Sequence, residues 1–317
     1  MFAYILKRLI YAIPIALSVT VVSFVLVYLA PGDPLNAIAP ADAPEEVIVA
    51  LKSAYGLDKP VPVQYGLWLM RAVQGDLGTS IASGRAVTAE VLSAVSNTLL
   101  LAGMAALGGV LVGCVLGALA GYRHGTWIDR VATVISVIGV SIPHYWLGLV
   151  LTILFSIWLP WFPAMGAGPG GSSEWLWDAE HLRHLVLPAL TLSVIPMGII
   201  TRTVRALVAD MLEQEFVTAL RARGLSGVAI FRHIARNTAP TVLAVAGLQI
   251  GYLMGGSILV ETVFAWPGTG FLLNTAIFQR DIPLLQGTIL VLCMFFVVLN
   301  LLVDILQPLI DPRMGRS

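Results

Sequence analysis

Few residues in this chain are placed to do chemistry, and their spacing says mostly what that chemistry is not. His144, His181, His184 and His233 never pair four residues apart, the spacing that sets two imidazoles on one helical face for zinc. His181 and His184 lie three apart beside Glu180, a set that would hold a metal weakly and reads instead as a wet loop. There is no G-x-x-x-x-G-K-S/T phosphate loop, no G-x-S-x-G, no H-E-x-x-H and no pair of intramembrane aspartates. Catalytic residues, metal ligands and a cofactor on this chain are therefore not expected. Cys114 and Cys293 fall in apolar runs without C-x-x-C spacing and read as small core residues. Glu261 and Asp304 sit near the ends of apolar runs, where interfacial water would hydrate them. Gln249 and Asn300 lie deeper, where an interhelical hydrogen bond or a contact on a transport path would explain either. If the chain moves something against a gradient, the energy source lies on another chain.

What remains is one basic stretch, "EFVTALRARGLSGVAIFRHIARNTAP", Glu215 to Pro240, which with Arg202 and Arg205 upstream gathers six arginines. Residues 202–223 are compatible with a single helix, ended by Gly224 in the left-handed position. Ser226 suits the N-cap of a second short helix, "GVAIFRHIARN", stopped by Pro240 with Asn237 shortly before. Ile230, Phe231 and Ile234 form one apolar patch there, rimmed by Arg232, His233 and Arg236. An apolar knob with a basic rim suits docking into a groove on a soluble protein. The plainer alternative is a juxtamembrane segment touching anionic lipid heads.

The elements that must position this stretch follow from composition. Hydrophobic residues make up 58% and charged residues 11%, which marks an integral membrane protein, expected to be all-α from the helix-length apolar runs below. A zero net charge gives no reason to expect nucleic acid. Six apolar runs, about 9–30, 98–121, 131–158, 185–201, 241–265 and 284–306, are each near the roughly 20 residues a crossing needs. Pro188 and Pro196 weaken the fourth, which must then pack inside a bundle. The first run is too long for a signal-peptide core and reads as retained. Lys and Arg concentrate on the side holding Lys7, Arg8, Arg123, Arg130, the 202–236 arginines, Arg313 and Arg316. Both termini and the basic stretch are thus expected in the cytoplasm. The expected division is residues 1–96, a first helix plus a small helical periplasmic insertion, and 97–310, a five-helix core with the cytosolic loop at about 202–240.

Within the insertion, "PEEVIVALKSAYG" and "VPVQYGLWLMRAVQG" read as short helices ending at Gly56 and near Gly75. Gly109, Gly113, Gly117 and Gly121 recur every four residues, as do Gly247, Gly251 and Gly255, so each set lies nearly on one helix face. Such a face admits another backbone closely, either within the chain or from a partner membrane subunit. Gly139 and Pro143 in "VIGVSIPHYWLG", with Ser136 and Ser141, read as a kink able to line a polar path.

Glu215, Ala219 and Gly224, with Pro240 closing the next helix, resemble the EAA loop of ABC importer permeases. "EFVTALRARGLS", "HIARNTAPTVL", "YLAPGDP", "YGLDKPVPVQYGLWL", "GDLGTSI", "HLVLPALTLS", "GLQIGYLMGGSILVETVFAWPGTG" and the terminal "DPRMG" are similar in order and spacing to the peptide (dipeptide, oligopeptide, nickel) branch. Leu220 departs from the Ala expected before Arg221. The resemblance implies a type I importer permease of the bacterial inner membrane that moves di- or oligopeptides by alternating access. It further implies a second homologous permease, two ATP-binding subunits carrying ATP and Mg, and a periplasmic or lipid-anchored binding protein. Glu215 would brace the loop, with Arg221 or Arg223 as candidate ion-pair partners; Gly224 would permit the turn, and Phe231 with Ile230 and Ile234 would be the knob. Ser141, Pro143, Gln249, Glu261 and Trp266 are candidate pathway or gate residues, with an interfacial belt as the alternative for Trp266. Nickel or glutathione-like cargo would use the same architecture. A self-sufficient channel or ion-coupled carrier would instead need a coupling-ion site at midplane.

Overall fold

A computed structural model describes residues 2–29, 44–46, 48–49, 58–172 and 175–310. Most of the expected helix over "PEEVIVALKSAYG", the side chains of Asn300 and Asp304, and the terminal "DPRMG" lie outside the described residues. The regular elements among those residues are helices: α1 Phe2–Leu29, α2 Val61–Val73, α3 Val87–Tyr122, α4 Trp127–Ser141, α5 His144–Thr152, α6 Ala179–Leu212, α7 Glu215–Ala222, α8 Gly227–Val263, α9 Thr269–Gln279 and α10 Ile282–Ile310. One wide π turn, Ile153–Trp158, extends α5. Among the described residues, three helices are long and apolar enough to cross a membrane: α3, α6 and Ile282–Leu299 of α10. The count rises to five if the bent pairs α4–α5 (103°) and Gly227–Leu253 with Gly255–Val263 (51°) each form one span. In α1 the stretch Ile10–Val25 is a shorter apolar helix.

The chain packs as two units, residues 1–98 with 267–302, and residues 99–266 with 303–317. In the first, α2 lies against α1. Tyr65 and Trp68 bring their rings to 5.4 and 5.7 Å from Phe24, and Tyr65 Oη shares a 2.7 Å hydrogen bond with Thr20 Oγ1. Val87, Val91, Ala276 and Leu284 form a core where the start of α3 meets α9 and α10. Asp281, wholly buried between α9 and α10, accepts from Ser80 Oγ at 2.5 Å, Ala82 N–H at 3.0 Å and Leu284 N–H at 3.1 Å. A buried carboxylate needs such donors, and these tie the 76–86 turn to the α9–α10 corner.

The second unit is built around α6. Pro188 and Pro196 are both buried in that helix, which runs unbroken through them. Its neighbours approach through glycine. A β-carbon at Gly109, Gly113, Gly117 or Gly121 would lie 2.9, 2.9, 2.6 or 2.7 Å from the carbonyl of Ser193, Met197, Thr201 or Arg205 respectively. Each step of four along α3 is matched by a step of four along α6 in the same direction, so the two helices run parallel with backbones in contact. On the other side α4 runs antiparallel: a β-carbon at Gly198 would lie 2.6 Å from the Ser136 carbonyl, and one at Gly139 would lie 2.8 Å from Val194 Cγ1. The second glycine series behaves differently. Gly247 is partly buried, and a β-carbon at Gly251 or Gly255 would meet nothing within 4 Å among the described residues.

Candidate functional site

The basic segment is a helix–turn–helix corner, with two departures from the sequence reading. Residues 202–223 are not one helix: α6 ends at Leu212 and the chain turns at Glu213 and Gln214 before α7. The turn folds Val217 back onto Val204 and Val208 with Phe216 and Leu220 alongside, apolar surface that a straight helix would carry into water. Nor does Pro240 stop a short second helix, because α8 runs from Gly227 through Pro240 to Val263. Proline deprives the Arg236 carbonyl of its helical donor, but Arg236 is exposed and solvent can take that donor's place. Thr238 Oγ1 meanwhile donates to the Ile234 carbonyl at 3.1 Å.

The turn between the helices is set by Gly224 at φ 76°. Leu225 N–H donates to the Leu220 carbonyl at 3.2 Å and Gly224 N–H to the Arg221 carbonyl at 3.0 Å, the paired bonds of a Schellman ending. Leu220 and Leu225 both pack on the same apolar cluster, which fixes the corner. Ser226 then caps α8, its hydroxyl accepting from Ala229 N–H at 3.3 Å.

The faces of the corner sort themselves clearly. Ile230 and Ile234 are buried in the cluster with Val204, Val208 and Val217, so they fasten α8 to α6 rather than forming the exposed knob. Phe231 is 37% exposed and Val228, one turn earlier, is 75% exposed. Val228 was the residue sequence reasoning missed; its spacing of three from Phe231 behind the Ser226 cap is the signal that marks it. Glu215, Ala219, Arg221, Arg223, Arg232, Arg236 and Asn237 are likewise exposed on the helices and turn of the corner. No ion pair joins Glu215 to Arg221 or Arg223 among the described residues, because six positions along a helix turn Arg221 about 240° away. The arrangement offers an exposed apolar pair and several exposed cations.

The candidate pathway residues scatter along the second unit. Ser141 and Pro143 are exposed at the 103° break between α4 and α5, a far sharper feature than a kink. Gln249 lines a cavity of about 30 Å³ with His144, Pro196 and Tyr252, room for one water. Gln249 Oε1 and His144 Nδ1 are buried without hydrogen-bond partners among the described residues. Glu261 is not hydrated at a span end: it is 0% exposed, as is Trp266, which places that indole in the interior rather than in an interfacial belt. The α5–α6 loop covers this turn. Gly166 N–H donates to the Phe264 carbonyl at 2.8 Å, and Trp175 lies 5.7 Å from Trp266.

That loop also corrects the reading of His181 as wet. His181 is 3% exposed, with Nδ1 within 2.8 Å of Asp178 Oδ1 and Gly168 crowding its other edge. Asp178 caps α6, and the His181 N–H that it accepts, followed by the His181 ring and Glu180 N–H, holds its carboxyl below the usual carboxylate range. No group of three or more metal-ligating side chains forms among the described residues.

An all-helical chain, among its described residues, with several helices long and apolar enough to cross a membrane defines a class, that of a multi-helix membrane protein. Residues 113–316 match the family "Binding-protein-dependent transport system inner membrane component", and residues 1–102 match the N-terminal region of the same kind of component. The chain belongs to this family and is a membrane permease subunit of an importer, a component of the inner membrane. It is 35% identical over 332 residues to the dipeptide transport system permease protein DppB of Alkalihalophilus pseudofirmus, covering 99% of both chains. It is 38% identical over 314 residues to a putative peptide transport system permease protein of Brucella abortus, again covering 99% of both. It is 37% identical over 313 residues to the glutathione transport system permease protein GsiC of Salmonella choleraesuis, covering 98% of both.

Proposed function

We propose that this chain is one of two homologous permease subunits of an ATP-driven importer that carries di- and oligopeptides across the bacterial inner membrane by alternating access. The observation that carries the proposal is the α7–α8 corner: a Schellman turn joins two helices, leaving Val228, Phe231 and four arginines exposed. Such a tip fits a groove on a soluble subunit, and two ATP-binding subunits would supply the ATP, Mg and hydrolysis, for which this sequence carries no phosphate-loop motif. Closure of that ATPase pair would draw the corners of the two permeases together and turn the cavity outward. The names of the Alkalihalophilus and Brucella relatives favour peptide cargo, and that of the Salmonella relative keeps a glutathione-like peptide as the second reading.

The finer architecture in this proposal is six spans, N- and C-termini in the cytoplasm, and α2 within a small periplasmic insertion that receives a binding protein. The parallel course of α3 and α6 supports it. Two membrane-crossing helices pointing the same way require the chain between them to return, so α4–α5 crosses as one broken span. The division at residues 96 and 97 belongs to the same reading.

The test is purification in mild detergent from native membranes, with companions identified and weighed. Recovery with one related permease and two ATPase copies, and ATP hydrolysis stimulated by peptide plus binding protein, is expected. A chain recovered alone that carried flux in liposomes without ATP would move the assignment to a channel or carrier.

A further inference from the structure

Next to the corner, at the same end of the helices, lies a carboxylate that has no part in docking. Asp129, in the first turn of α4, is 3% exposed. Arg205 of α6 grips it with both arms of the guanidinium: Nε donates to Oδ1, and Nη2 donates to Oδ2 at 2.9 Å. Gly125 N–H adds a 2.9 Å bond to Oδ2, Thr133 Oγ1 donates to Oδ1 at 3.4 Å, and His124 Nδ1 lies 3.1 Å from Oδ2. A bidentate guanidinium–carboxylate pair fixes direction as well as distance.

Arg205 is also the last of the α6 residues that the α3 glycines approach, since a β-carbon at Gly121 would lie 2.7 Å from its carbonyl. One residue later, a β-carbon at Gly227, the first residue of α8, would lie 3.2 Å from Tyr122 Oη. The ends of α3, α4 and α6 and the start of α8 thus meet at one node. Arg205 lies ten positions before Glu215, which opens the exposed corner. From α4 the chain leads directly to the 103° break at Pro143.

We propose that Asp129 and Arg205 are positioning residues that transmit displacement of the α7–α8 corner to α4, and through it to the broken α4–α5 span. The inference rests on the importer reading above. Without the pair, the first turn of α4 would lose its fixed hold on α6 while the Gly198–Ser136 and Gly139–Val194 approach further along remained, so displacement of the corner would reach α4 incompletely and more ATP would be hydrolysed per cargo moved. A displacement can be passed on only through elements with rigid mutual contacts, and this pair is the charged contact that binds α4 to α6.

The experiment uses the whole complex in proteoliposomes and measures peptide taken up per ATP hydrolysed, for wild type, Arg205→Lys, Arg205→Gln and Asp129→Asn. Arg205→Gln and Asp129→Asn are expected to lower this ratio about tenfold, with Arg205→Lys, which keeps charge but loses the fork, falling between them and wild type. The ratio is read only on complexes of full subunit composition, so a loss of yield does not imitate uncoupling. Asp129→Asn preserves shape and two acceptor-side contacts, and serves if the arginine variants fail to assemble. An unchanged ratio in any assembled variant lacking the pair would overturn the proposal while leaving the importer intact. Absence of ATP-driven uptake by wild type would instead overturn the importer reading together with it.

Discussion

Gly224 and Asp178 are the residues at which the sequence places the strongest local demands. At φ 76° Gly224 has open space around its α-carbon, so a side chain there is opposed by backbone conformation and not by a neighbour. Gly224→Ala should cost about 1–2 kcal/mol of local stability, and the β-branched Gly224→Val more. Membrane insertion should remain normal, while transport is lost in the valine variant. Uptake assays on inserted protein decide this, and full uptake by Gly224→Val would remove the turn from the coupling account. Asp178 makes a different kind of prediction. Its folded carboxyl is held below the unfolded value, so the cap contributes fully above about pH 4 and fades as pH falls through the lowered value. Hydrogen exchange at the Glu180 and His181 amides should therefore lose protection in acid. Asp178→Asn, an equally good cap without a titrating group, should flatten that dependence.

Between elements, the two glycine series should part company. Gly117→Leu would drive a side chain into the Thr201 carbonyl, which cannot swing aside, and overpacking of this sort costs about 1–3 kcal/mol. A β-carbon at Gly251 meets nothing among the described residues, so Gly251→Leu should leave the thermal midpoint of the isolated chain nearly unchanged, while reducing recovery of the second permease if that face is the subunit contact. Sequence alone read both series as close-approach faces, since period four is all that such packing requires. It did not distinguish them, because the α6 carbonyls opposite Gly117 are some 80 residues distant along the chain. The same limit explains the corner. Gly224 and the Ser226 cap were legible as local signals, and so was α2, whose apolar side carries Tyr65 and Trp68. The inward turn at Gln214 and the burial of Ile230 and Ile234 were not, because both depend on Val204 and Val208 of α6 offering an apolar surface. Pro240 misled for a related reason: a proline breaks a helix where nothing else holds it, and α8 is held by its packing on both sides of the residue.

At the scale of the molecule, the chain is a membrane permease subunit, and the proposal makes its exposed corner the docking point. The apolar tip among arginines suits a soluble ATP-binding subunit, whereas the bare charge would equally attract anionic lipid heads. These outcomes differ in what lies within a few ångströms of Val228 and Phe231. The most direct measurement places a photo-crosslinking side chain at Phe231, and separately at Val228, in the complex embedded in native-lipid nanodiscs. The account predicts that both positions capture an ATP-binding subunit, with a yield that changes between nucleotide-free and ATP-bound states. Capture of lipid alone at both positions, in a preparation that contains the ATPase and hydrolyses ATP, would contradict it.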